Sequence, residues 1–156
     1  MTDTATVVLA LKQAVETVAR AAITTADPNG NVLVDWGYPV LAWPNDMILI
    51  MRAQTTQSVA TMSTNRTRRE TIDLDIHFLS WRTTQREADT AAYGWLRLVE
   101  RQMRMIDPTL GGVCVNTGCV LTATDSTGYT NPKDTAAGRG CEIRATFTAS
   151  DVRISA

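Results

Sequence analysis

His77 is the single histidine of the chain, and it stands in the stretch Thr71-Ile72-Asp73-Leu74-Asp75-Ile76-His77-Phe78, where polar and apolar side chains alternate without a fault. Successive side chains of a strand point to opposite faces, so Asp73, Asp75 and His77 share one surface. A histidine beside two carboxylates is raw material for a metal site or a proton relay. A single histidine, however, cannot supply a multi-histidine metal centre, and carboxylates along one open strand are ordinarily solvated. The stretch therefore reads as a solvated sheet face, with no metal and no cofactor.

Nucleophiles fare no better. Cys114, Cys119 and Cys141 are an odd set without CxxC spacing, which fits free thiols in a reducing compartment, and no local signature pairs any of them with His77. Gly111-Gly112 follows a helical pattern and Gly138-Arg139-Gly140 precedes a strand, whereas a phosphate cradle needs a strand, a loop and then a helix N-terminus. The serines are scattered, without a Gly-x-Ser-x-Gly elbow. Nothing is arranged for bond-making, so the chain reads as a non-enzyme whose surfaces carry its function.

One such surface is basic. At 100 degrees per residue, Arg86, Arg97, Arg101 and Arg104 fall on one stripe of a predicted helix, opposite Trp95 and Val99. Like charges at the i,i+4 spacing of Arg97 and Arg101 cost an isolated helix about 0.2–0.5 kcal/mol, and Glu100, four residues before Arg104, offsets a similar amount. The stripe is either a solvated helix face or a docking surface for an acidic partner or passing DNA. Arg66, Arg68 and Arg69 form a second basic cluster open to the same two readings.

The elements that would position these residues follow from periodicity. Val7, Leu11, Ala14, Val15, Val18 and Ala22 mark one face of an amphipathic helix, with Asp3 or Thr4 as its cap and Asp27-Pro28-Asn29-Gly30 as its stop. A short strand follows from Val32 to Trp36. The two prolines and two aromatics of Gly37-Tyr38-Pro39-Val40-Leu41-Ala42-Trp43-Pro44 then make a stiff connection. Met47-Ile48-Leu49-Ile50-Met51 fits an inner strand, although a short helix has the same pattern. Residues 52–65 read as a polar loop or a weak hairpin extension.

Thr84-Gln85-Arg86-Glu87 is a capping-box pattern opening a second helix. Its buried stripe is Ala88, Ala92, Trp95, Val99, Met103 and Ile106, widened by Ala91, Leu98 and Met105, and Asp107-Pro108 ends it. Residues 113–123 are strand-like, and Cys141, Ile143, Ala145, Phe147 and Ala149 alternate with polar residues in a clear last strand. Between them, 125–140 reads as a long polar loop.

A chain of 156 residues, 44% hydrophobic and 20% charged, suits one soluble α+β domain spanning 1–156. The order of elements predicts an antiparallel or mixed sheet of about four to six strands with two helices packed on one face. A net charge of -1 argues against a chain built as a whole to coat nucleic acid. No basic leader and no apolar run of membrane-spanning length stand in the sequence, so no targeting and no membrane are expected.

Several of these features occur together in one family. The turn Trp36-Gly37-Tyr38-Pro39, the Pro44-Asn45-Asp46 entry to an apolar strand, the arginine-rich entry Arg68-Arg69-Glu70 to the alternating strand, and Ala91-Ala92-Tyr93-Gly94-Trp95-Leu96 in the long helix follow one another in order. Over residues 4–124 the chain thereby resembles the tail terminator, or tail-completion, proteins of long-tailed (siphovirus-type) bacteriophages. The resemblance implies a virion protein of the tail, assembled in the host cytoplasm, that forms a homohexameric ring on the tail tube, ends tube polymerisation and joins tail to head. Its implied partners are its own copies, the tail tube protein, a head-tail connector protein and DNA passing through the lumen without sequence recognition. A head-to-tail ring needs two different complementary patches per subunit, and the arginine stripe with Asp73 and Asp75 offers patches of opposite sign. Arg66, Arg68 and Arg69 would then face the tube or the lumen. Two rivals stand beside this reading: a small nucleic-acid-binding module using the arginine clusters, and a small-ligand site around Trp36, Tyr38 and Trp43.

Overall fold

The alternating stretch at 71–78 becomes the middle of the sheet. A computed structural model of the chain describes residues 6–59, 68–114, 118–131, 133 and 137–154. In chain order these form α1 (Val8–Ile23), β1 (Val32–Trp36), β2 (Asp46–Val59), β3 (Arg68–Arg82), α2 (Gln85–Arg101) running into a π-helical turn (Gln102–Ile106), β4 (Cys119–Thr130) and β5 (Arg139–Ile154). The strands lie in one five-stranded sheet in the order β1-β2-β3-β5-β4. β1 runs parallel to β2 and every other pair is antiparallel, so the sheet is mixed.

Both helices cover one face, called here the helix face. Ile72, Leu74, Ile76 and Phe78 of β3 are fully buried there with Ile143, Ala145, Phe147 and Ala149 of β5. Leu11, Val15, Val18, Ala19 and Ile23 of α1 join this cluster, as do Ala88, Ala92, Leu96 and Val99 of α2. Burying an aliphatic or phenylalanine side chain of this kind contributes roughly 1.5–3 kcal/mol, so this continuous layer dominates the stability.

The capping box forms as its sequence dictates: Glu87 N–H donates to the Thr84 hydroxyl oxygen and Thr84 N–H to the Glu87 carboxylate, both at 3.3 Å. The buried stripe of α2 differs from expectation in two places. Leu96 is in the core while Trp95 is only partly buried, and Met105 and Ile106 are 63% and 61% exposed. The cause of the second is the π turn, closed by Asp107 N–H to the Gln102 carbonyl at 2.8 Å, which widens the helix and carries its last residues off the buried line.

α1 is capped from outside its own sequence neighbourhood. The fully buried Glu70 of β3 accepts from Val7 N–H at 2.9 Å and from the Thr6 hydroxyl at 2.6 Å. A carboxylate at a helix N-terminus satisfies an orphan donor and opposes the macrodipole. Asp3 and Thr4, expected as caps, lie outside the described residues.

Two predicted loops are largely strand. Residues 52–59 continue β2 after a register slip between Ile50 and Ala53, paired with β3 from Arg68 to Leu74. They carry no alternation because 54–58 are exposed on both faces, leaving no buried face to select apolar side chains. Residues 125–130 are the second half of β4, an exposed edge strand held by backbone pairing to β5, so the connection to β5 shrinks to 131–138.

The other face of the sheet is not uniformly open. Met47, Leu49 and Leu79 are buried on it, and Trp81 lies across Gly140, where an added Cβ would sit 2.9 Å from the indole ring. Gly140→Ala should therefore destabilise the chain by about 1–3 kcal/mol through overpacking, read as a lower urea midpoint at unchanged slope.

Candidate functional site

Asp73 and Asp75 stand on the face away from the helices, and each accepts from a threonine of β5: Thr148 to Asp73 at 2.6 Å and Thr146 to Asp75 at 2.8 Å. Arg86, Arg97 and Arg101 are exposed on α2 and Arg104 on the π-helical turn that continues it, on the opposite side of the sheet. Arg104 pairs with Glu100 at 2.6 Å, and among the described residues no carboxylate pairs with the other three. The two charged surfaces thus point in opposite directions. Of the second cluster, Arg66 lies outside the described residues, Arg68 opens β3 and Arg69 is exposed beside it.

His77 departs from its expected surroundings. It is 8% exposed, and its partner is neither Asp73 nor Asp75 but Glu142 of β5, itself 4% exposed, with Nδ1 2.9 Å from Oε1. The Tyr38 hydroxyl donates to the same carboxylate oxygen and lies 3.1 Å from His77 Nδ1, while the Tyr129 hydroxyl donates to Oε2 at 2.7 Å. Four side chains from the 37–45 connection, β3, β4 and β5 therefore meet at one buried carboxylate. A solvated reading fails here because the connection folds over the sheet and excludes water. The sequence offers a faint signal, Glu142 on the polar face of an alternating strand, but its meeting with His77 depends on a β3–β5 register that only the structure supplies.

The energetics of the cluster are those of a clamp. Burial by itself would raise the Glu142 carboxyl, but hydrogen bonds from Tyr38 and Tyr129 and the charge and hydrogen bond of His77 outweigh it and hold the group below the usual carboxylate value of 4.5. Tyr38 is pushed up to about 12, first by burial and then by its bond to Glu142, so it remains a donor. Tyr129 is also raised, chiefly by its bond to the same carboxylate. The thiols are equally unsuited to nucleophilic work: burial lifts Cys114 to about 11 and Cys119 and Cys141 to about 12. Among the described residues no three His, Cys, Asp or Glu side chains converge as a metal site would require.

The aromatics proposed to line a ligand site divide between the two faces. Tyr38 and Trp43 stack with ring centroids 5.4 Å apart over the face bearing His77. Trp36 instead bonds Glu16 of α1 through Nε1 at 2.8 Å. Concavities open elsewhere, one of about 690 Å³ between the start of β2 and α2, lined by Asp46, Arg82 and Arg86 among others. There Asp46 is fully engaged, accepting from Ser80, Arg82 and the Trp95 indole at 2.7–3.0 Å, which ties β2 to β3 and α2.

The sequence matches no protein-family model and no curated protein. In fold the chain is similar to a chain of the virion of a native gene transfer agent (GTA) particle, with a TM-score of 0.62 over 98% of this chain and 100% of that one. Identity is 12%, so the likeness is one of architecture, and it extends from end to end.

Because the folded Glu142 value is lower than the unfolded one, its contribution to stability is complete above about pH 4.5 and is lost as pH falls through the folded value. Glu142→Gln should cost about 1–3 kcal/mol near neutral pH. It should also flatten the loss of stability on acidification, as measured by denaturant unfolding at a series of pH values.

Proposed function

We propose that this chain is a structural virion protein, without catalytic activity, that forms a ring at the head-proximal end of a phage-type tail tube, stops tube polymerisation and joins tail to head. The observation that carries this reading is the end-to-end likeness of its fold to a chain of a gene transfer agent virion. The order of turn, strand and helix motifs between residues 4 and 124 supports the finer assignment to tail terminators.

The charged surfaces suit a ring. A head-to-tail contact repeats one interface around an axis and needs different patches on two sides of each subunit. The arginines of α2 and the Asp73/Asp75 face are of opposite sign and lie on opposite sides of the sheet, so one copy can present each to a different neighbour. The chain acts in this reading as one domain, six copies surround the lumen through which DNA passes, and Arg68 and Arg69 at the start of β3 face the tube or the lumen. Tail tube protein binds on one side and a head-tail connector protein on the other. Assembly takes place in the host cytoplasm, and the finished ring belongs to the virion.

Arg97→Glu combined with Arg101→Glu should block ring assembly and leave the monomer folded, seen by light scattering of the protein with and without tube protein and by an unchanged circular dichroism spectrum. Particles produced without this chain should carry tubes of uncontrolled length in electron micrographs. Tubes of normal length would refute the terminator role, and salt-sensitive binding to duplex DNA by the isolated chain would favour a nucleic-acid module instead.

A further inference from the structure

One loop exposes more apolar surface than its rigidity explains. Within residues 37–45, Val40 is 95% and Leu41 90% exposed. Their support is stiff: the Tyr38 and Trp43 rings stack, the Trp43 indole N–H donates to the Pro39 carbonyl at 3.0 Å, and the Tyr38 hydroxyl is bound to Glu142. A single exposed leucine needs no explanation. Two adjacent aliphatic side chains at the tip of a braced loop differ, because bracing removes ordering entropy that docking would otherwise cost.

On the helix side of the sheet, α2 and the turn after α1 flank a shallow, open cavity of about 360 Å³, lined by Ala26, Ala91, Gly94, Trp95, Arg97 and Leu98. Gly94 lines it from within α2. Glycine is unfavourable inside a helix, yet here a Cβ would meet no heavy atom within 4 Å. The space is ample for one or two aliphatic side chains, since cavities of about 300 Å³ already hold small ligands.

The flanking charges are of opposite sign. Asp35 is exposed just before the loop and pairs in register with Leu49, on the face that the loop covers, while Arg97 is exposed and lines the cavity. We infer that Val40 and Leu41 of one copy seat in the cavity beside Gly94 of the next copy, with Asp35 brought toward Arg97. The inference rests on the ring reading above and names the apolar contact that reading lacks. Loop and cavity lie on opposite sides of the sheet, so each copy offers a knob to one neighbour and a hole to the other, which is the geometry of a head-to-tail assembly.

Two substitutions test the two halves separately. Leu41→Asp places a charge on the knob, and Gly94→Leu fills the hole from a position with free space and better helix propensity. Both proteins should melt no lower than the parent. Sedimentation velocity, with the chain alone and with tube protein, should show copy-to-copy association weakened roughly ten- to hundredfold by either change. In a mixture of Leu41→Cys and Leu98→Cys proteins, a short bismaleimide should link one variant to the other, because the native thiols are buried. Rings that form normally with both substitutions and give no cross-link would overturn this contact and leave the ring reading standing. A parent chain that never associates, alone or on the tube, would overturn both. Intact rings that lose only tube attachment on Gly94→Leu would assign the cavity to another virion protein and overturn the contact.

Discussion

Parallel pairing of β1 with β2 is the constraint from which the unusual features of this fold descend. Parallel neighbours demand that the chain return from the end of one strand to the start of the next. Here residues 37–45 make that return without a helix, closed at its two ends by Gly37 N–H to the Ile50 carbonyl and Trp81 N–H to the Asn45 carbonyl. A short return must hug the sheet, and it does so on the face the helices leave free. Tyr38 is thereby carried over β3 and β5, the water above His77 and Glu142 is displaced, and a polar pair that would have been a solvated surface becomes a buried one. The same path leaves Val40 and Leu41 pointing outward, while Tyr38 binds the sheet and Trp43 stacks on Tyr38.

The carboxylate at the centre of this arrangement succeeds only because it is fully served. An ionised group taken from water costs several kcal/mol unless hydrogen bonds and an opposite charge replace its hydration. Glu142 receives two phenolic donors and an imidazole, and its lowered pKa is the sign that these outweigh desolvation. Three of the four side chains sit on strands whose register is fixed by the helix-face core, so the cluster inherits its geometry from Phe78, Ile143 and their neighbours. Glu70 works in the same way at the other end of β3, where a strand residue caps a helix distant in sequence. Both buried carboxylates join an irregular or terminal segment to the sheet.

Periodicity was informative wherever one face of an element meets the core and the other meets water. That condition holds for α1, for the first four turns of α2, for β3 from Ile72 to Ile76 and for β5 from Ile143 to Ala149, and those stretches were legible from residue type alone. It fails for 54–58 and for 125–130, which are exposed and owe their strand conformation to backbone pairing with β3 and β5. A polar run rich in Thr, Ser and Gln looks the same in a loop and in an edge strand. The buried cluster was illegible for a different reason: it joins residues up to 104 positions apart, and only strand register and a loop path bring them together. The arginine stripe and the Asp73/Asp75 face were legible because each lies within one element, although their opposed placement about the sheet was not.

Charge alone would make a weak joint between copies. Exposed ion pairs contribute only about 0–1 kcal/mol each and are screened beyond a Debye length of about 8 Å at physiological salt, so an arginine stripe facing two aspartates would steer encounter and fix register without holding a complex together. The threonine hydrogen bonds that Asp73 and Asp75 already accept weaken their call on a partner further. Apolar burial has the opposite character: it is insensitive to salt and grows with area, but it sets no direction. In the ring proposed above both kinds of surface would contribute, the charges rejecting wrong orientations and a small apolar contact adding affinity. In such a ring one or two aliphatic side chains per interface would expose little apolar surface on each separate copy, whereas a contact repeated around the closed ring would multiply a modest gain by the number of copies.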